Sequence, residues 1–160
     1  MGIYESDYGK TINITLDENA DGVSPIVQLN TGTVYGEDFL KKLPNIDLTR
    51  EVRLAPFAFT DQEGREVRGI SVTQGEEKIK NYFYDPEAKT PINGYPIPDG
   101  DTDAYGKEDW KIYFLQARKF LIAYAQEQVF PKLAQRPART EVKPSVVDEA
   151  EEINPEDIPF

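Results

Sequence analysis

Arg53, Phe57, Phe59, Arg65, Arg68, Lys78, Lys80, Tyr82 and Tyr84 are the residues of this 160-residue chain whose types and spacing suit them to act together. They are cations and aromatic rings gathered in one window. Lysine and arginine neutralise phosphates, and exposed rings stack bases, each stacked base contributing about 1–3 kcal/mol. Arg53, Phe57 and Phe59 share one parity, which puts them on one face of a strand unless Pro56 resets it with a bulge. Lys78, Lys80, Tyr82 and Tyr84 alternate as well, two cations followed by two rings on a single predicted face. The plainer reading is that Phe57 and Phe59 fill a core and that the lysines solvate an edge strand. The Lys78–Tyr84 face tips the balance toward a nucleic-acid strand.

A second constellation closes the chain. From Pro137 onward, prolines and acids dominate and large apolar residues are few, the composition of a disordered tail. Residues 141–160 hold seven acids and one lysine, a net of −6 out of −11 for the whole chain. The tail nevertheless ends in Asp157, Ile158, Pro159 and Phe160. An aromatic ring beside a terminal carboxylate suits a pocket that is greasy at its base and basic at its rim. Between Phe39 and Lys80, eight basic residues face seven acids. The overall acidity therefore does not exclude a nucleic acid, which answers to a local basic groove.

Catalysis is hard to build from the remaining inventory. There is no cysteine and no histidine, which removes thiolate zinc sites, disulfides and imidazole acid–base chemistry. Neither a phosphate-cradling Gly-x-x-x-x-Gly-Lys-Ser/Thr stretch nor a Gly-x-Ser-x-Gly elbow occurs. Asp17–Gly22 has oxygen ligands at calcium-loop spacing, but Gln28 stands where a bidentate glutamate is needed, so the stretch reads as a hairpin turn. No metal and no cofactor are expected. Carboxylates are plentiful, and a metal-dependent nuclease stands as an alternative on that ground alone.

The elements that must position these residues are mostly strands. Met1–Ser6 reads as a flexible start. Lys10–Leu16 and Ser24–Asn30 read as the first two strands, and Gly36–Leu43 as a short helix or irregular crossing stopped by Pro44. Ile46–Phe59 and Arg65–Thr73 flank a five-residue loop ending in Gly64, a hairpin signal, and Lys78–Tyr84 is the last strand. Pro56 and Gly69 suggest bulges or edges. Asp85–Gly106 is a long loop rich in proline, glycine and aspartate. Asp109–Phe130 is the one long helix, with Asp109 as N-cap and Pro131 beyond its end. Trp110, Tyr113, Phe114, Ala117, Leu121, Tyr124 and Gln128 form its sheet-facing stripe. Ile112, Leu115, Ile122 and Val129 form a second strip, which either the long loop or another copy of the chain must cover. The fold class expected is mainly β with one long C-terminal helix: a small barrel or a curved antiparallel sheet.

The ending Asp157-Ile158-Pro159-Phe160 after an acidic run resembles the C-terminal tip of bacterial and phage single-stranded-DNA-binding proteins. The likeness is strict over the last few residues and loose over the layout of a β-rich body followed by an acidic tail. Asn154-Pro155 interrupts the acidic run and a long glycine- and glutamine-rich linker is missing, so a divergent phage-type member fits best. The resemblance implies an OB-fold-like barrel in residues 1–134 that binds single-stranded DNA without sequence preference. It also implies a tail in 135–160 whose tip recruits replication, recombination and repair proteins. Phe160 and Pro159 would be the anchors there, with Asp157 meeting the partner's basic rim. The alternative architecture is a curved sheet backed by the helix, Whirly/PC4-like. The rival function is a decoy that occupies partner pockets without binding DNA. The remaining expectations are a non-enzymatic protein, a homo-oligomer with a dimer favoured, no membrane segment, and the cytoplasm of a bacterial host as its place.

Overall fold

A computed structural model describes residues 1–7, 9–17 and 20–133. β1 (Gly2–Ser6), β2 (Gly9–Thr15) and β3 (Ile26–Asn30) make one antiparallel sheet in that order. Ile3 lies opposite Ile12, which lies opposite Leu29, and Ile14 pairs with Val27, so alternate residues give one apolar face. Met1–Ser6 is thus not a flexible start: Ile3 supplies a strand with a place on that face.

β4 (Arg53–Thr60), β5 (Glu66–Gln74) and the short β6 (Glu77–Lys78) make a second antiparallel sheet. Its inner face carries Leu54, Ile70 and Val72. Between the sheets in sequence runs α1 (Val34–Lys42), followed by a 3-10 turn at Leu43–Asn45 that Pro44 enters rather than prevents. The Thr33 hydroxyl oxygen accepts the Gly36 N–H at 3.3 Å and caps α1. Gly36 presses so closely on β3 that a Cβ would stand 2.2 Å from the Asn30 carbonyl oxygen. Phe39, Leu40 and Leu43 join Ile12, Ile14, Ile70 and Val72 in one buried cluster.

The C-terminal helix completes that core. α2 (Lys107–Tyr124) runs into a π-helical turn (Ala125–Val129) and then α3 (Phe130–Leu133). Asp109 sits one turn inside: its carboxylate accepts the Gly106 N–H at 2.8 Å, the reciprocal half of a capping box. Pro131 does not end the helix. A proline would clash with the carbonyl four residues back, and the π turn directly before it, with Phe130 N–H donating to Ala125 C=O, widens the spiral at that point. Leu121, Ile122, Ala125 and Val129 are buried in the same cluster, where the helix lies against α1 and the 3-10 turn that follows it.

The fold is mixed rather than mainly β, because two stretches expected as strands are not strands. In Ile46–Val52, the buried Gln74 side chain takes the backbone bonds a partner strand would take. It accepts from Asp47 N–H at 2.8 Å and donates to Asp47 C=O at 2.7 Å. After Ile79, other partners claim the backbone: Tyr82 N–H donates to Lys41 C=O, Asn45 donates to Lys80 C=O, and Asn93 donates to Tyr82 C=O. Only β7 (Tyr84–Asp85) follows, paired with β8 (Thr90–Pro91) in a third small sheet.

Among the described residues no strand pairing joins the first sheet to the second. At the outer edge of β5, Asp38 accepts the Ile70 N–H at 2.8 Å and Lys42 donates to the Ile70 C=O at 2.6 Å. This α1 ion pair, 2.8 Å across, stands where a closing strand would pair. Since both Ile70 groups point away from β4, the Pro56↔Ile70 pair is a non-hydrogen-bonded one. Pro56 therefore costs no ladder bond, and it leaves the outer edge of β4 without a donor at the same level.

Candidate nucleic-acid interface

The β4–β5 register is unbroken from Arg53↔Thr73 to Thr60↔Glu66. Pro56 causes no bulge, so Arg53, Phe57 and Phe59 do share the outer face of the second sheet. β6 adds Lys78 opposite Thr73. One line of residues across three strands is thus Arg53, Thr73 and Lys78, with Ala55 and Ser71 next to it, then Phe57 over Gly69 and Phe59 beside Val67. The Phe57 and Phe59 ring centroids are 5.9 Å apart and inclined by 30°. Phe59 is 55% exposed. Gly69 is required by this packing: a Cβ there would lie 2.7 Å from the Phe57 ring and 2.7 Å from the Asp38 carboxylate.

The candidate cations separate into two groups. Among the described residues Arg53 and Lys78 are exposed and make no ion pair. Arg65 is held by Asp61 at 2.8 Å and Glu63 at 2.9 Å. The Arg65 backbone N–H, then its guanidinium, hold the Asp61 carboxyl below its ordinary value. Arg68 is paired with Glu66; its strand position has even parity, and its side chain lies at the groove beside α1.

The predicted Lys78–Tyr84 face does not form. Lys78 is in β6, Lys80 is exposed in the irregular stretch that follows it, and Tyr84 is in β7. Tyr82 is turned inward, edge-on to Phe83 at 5.1 Å and with its hydroxyl 3.3 Å from that of Tyr124. That hydrogen bond first, then burial, push Tyr124 up to about 12. The alternation of types was real, but its backbone partners are side chains of Asn45 and Asn93 and the end of α1. Tyr95 of the long loop likewise packs inward on Phe83 and Phe120, and Tyr105 packs on Trp110.

Three cations were not singled out by the sequence. Arg50 reaches the β5–β6 turn, its guanidinium 3.7 Å from where a Gly75 Cβ would be, at the same end as Arg53 and Lys78. Lys41 and Lys42 line a groove of about 400 Å³ between α1 and the hairpin, with Val34, Glu37, Asp38, Phe57 and Arg68. Burial alone would lower the Lys41 pKa. The Glu37 carboxylate, 2.6 Å away, and Tyr95, over whose ring the ammonium lies at 5.7 Å, together raise it above its ordinary value. These lysines lie on a helix and had no strand parity to betray them.

Asp157, Ile158, Pro159 and Phe160, with all of 134–160, lie outside the described residues, as do two residues of the Asp17–Gly22 turn. No described helix is long and apolar enough to cross a membrane. Compared with protein-family models, with curated proteins and with solved structures, the chain matches none.

Proposed function

We propose that this protein binds single-stranded DNA without sequence preference on the outer face of its second sheet. The observation that carries the reading is the juxtaposition of two unpaired cations, Arg53 and Lys78, with the Phe57–Phe59 ring pair on one exposed face. Cations neutralise the phosphates while rings stack bases, and stacking accepts every base alike. A flat face of rings favours unpaired bases over a duplex, whose bases already stack on each other. Arg50 extends the cationic end.

The architecture that goes with this function is OB-like. The chain order of a three-stranded meander, a helix and a hairpin supplies the five principal strands of a partly open barrel of that type. The Whirly/PC4-like curved sheet is the alternative plan. The second half of the proposal is the tip, Asp157-Ile158-Pro159-Phe160, which resembles that of bacterial and phage single-stranded-DNA-binding proteins. It would recruit replication, recombination or repair proteins in a bacterial cytoplasm. No catalytic step is assigned to the chain.

Titration with oligo-dT, followed by tyrosine and Trp110 fluorescence, tests the binding half. Salt-sensitive saturation is expected, weakened in the Phe57→Ala/Phe59→Ala variant. Absence of binding even at low salt refutes it and leaves the tail decoy. Cleavage of labelled DNA that needs magnesium would replace the proposal with a nuclease.

A further inference from the structure

The first half of α2 projects one outward strip that nothing in the described chain covers. Ile112 is 55% exposed and Leu115 48% exposed, while Ile122, further along the same side of the helix, is 8% exposed and belongs to the core. The strip therefore divides: its C-terminal part is buried in the core and its N-terminal part faces out. Glu108, Ile112, Leu115 and Lys119 succeed each other at intervals of four, three and four residues, the spacing of a two-stranded helical seam. Glu108 makes only an exposed 3.6 Å contact with Lys111, and Lys119 makes no ion pair among the described residues.

We infer that this strip is the contact between two copies of the chain, joined by antiparallel pairing of their α2 helices. The charges decide the direction. Two parallel helices would set Glu108 against Glu108 and Lys119 against Lys119, which repel. A two-fold axis passing between Tyr113 and Phe114 instead sets Ile112 against Leu115 of the second copy, and Glu108 against Lys119 of the second copy. The apolar pairs then sit at the centre, with one ion pair at each end of a seam about 16 Å long. The contact is isologous, as a closed dimer requires. So short a seam belongs to the weak end of specific association, with a dissociation constant on the order of tens of micromolar. The dimer carries two copies of the second sheet, so one DNA strand bound to both is held by avidity. The dimer itself does not depend on DNA.

Sedimentation equilibrium of the full chain, from low to several hundred micromolar, tests this inference. The wild type is expected to move from monomer to dimer across that range. Leu115→Glu, an exposed change, is expected to remain monomeric with an unaltered circular dichroism spectrum. Glu108→Lys alone and Lys119→Glu alone each put like charges at both ends of the seam and are expected to weaken the dimer about tenfold. The double variant Glu108→Lys/Lys119→Glu restores opposite charges and is expected to return within about threefold of the wild type. A wild type that stays monomeric throughout overturns the inference. So does a dimer indifferent to Leu115→Glu, or a charge-swapped double variant no better than the single ones. DNA binding measured on the same variants at submicromolar protein reports on the sheet face separately.

Discussion

Replacing Arg53 and Lys78 together by alanine should reduce DNA affinity in a way that salt reveals. Each phosphate neutralised on a single strand contributes about 0.7 to the slope of log K against log salt. Both cations are exposed and free of ion pairs, so each has its full charge to offer. Removing two such contacts should flatten the slope by about 1.4. With the electrostatic contribution taken as nil near 1 M salt, that is about 25-fold weaker binding at about 0.1 M, or about 1.9 kcal/mol. The control is Arg65→Ala/Arg68→Ala. These guanidiniums already hold Asp61, Glu63 and Glu66, so their loss should change the slope by less than about 0.3. Anisotropy of a labelled oligo-dT at five or six salt concentrations measures both. An unchanged slope in Arg53→Ala/Lys78→Ala, or equal flattening in the two double variants, would refute the assignment of the face.

Three further outcomes are expected. Asp38→Ala leaves the buried Ile70 N–H without its acceptor and Lys42 without its counter-charge, costing about 2 kcal/mol in urea denaturation; a wild-type midpoint would contradict the strand-like role of the pair, and Asp38→Asn should lose less. Tyr124, normally near 10.0, keeps its proton in the folded state to about 12, so between those values the unfolded chain binds fewer protons and stability falls as pH rises; Tyr82→Phe should bring the Tyr124 titration, followed by tyrosinate absorbance, back toward its ordinary value, and an unmoved titration would rule out the hydroxyl pair as its cause. Deleting residues 151–160 removes four carboxylates from the chain and should tighten oligo-dT binding at low salt while abolishing capture of partner proteins; equal DNA affinity with and without those residues would show that the acids do not compete for the cationic face.

What could be read from the sequence was whatever depends on the local period. Arg53, Phe57 and Phe59 fall on one face because the hairpin between Asp61 and Gly64 fixes an unbroken register, and parity then does the rest. The buried stripe of α2 was legible in the same way at Ala117 and Leu121, though Phe114, on that stripe, is half exposed. Lys78–Tyr84 alternates just as well, yet alternation describes a face only if a neighbouring strand takes the backbone bonds. Here Asn45 and Asn93 take them, from positions 35 and 11 residues away. Ile46–Val52 failed for the same reason, through Gln74. Side-chain capture of a main chain leaves no periodic mark. The lysines of the α1 groove were hidden because only tertiary packing brings a helix alongside the hairpin.

The two opposite residues Pro56 and Ile70 bear on the solubility of the protein. A sheet with free edges is a template on which further chains add, and sheet proteins must prevent this. β4 presents a residue that lacks the donor an incoming strand would need, and β5 presents a carbonyl and an amide already occupied by Lys42 and Asp38. Both sides of the hairpin are thus blocked at one level, so fibril growth along the sheet is stopped at its middle rather than at its ends. The two devices differ in kind: the proline blocks by lacking a donor, whereas the ion pair blocks by occupying both backbone groups of Ile70 with side chains of α1. Loss of the Asp38 and Lys42 side chains should therefore expose one edge of the hairpin and not the other, and any aggregate that forms there should grow from β5.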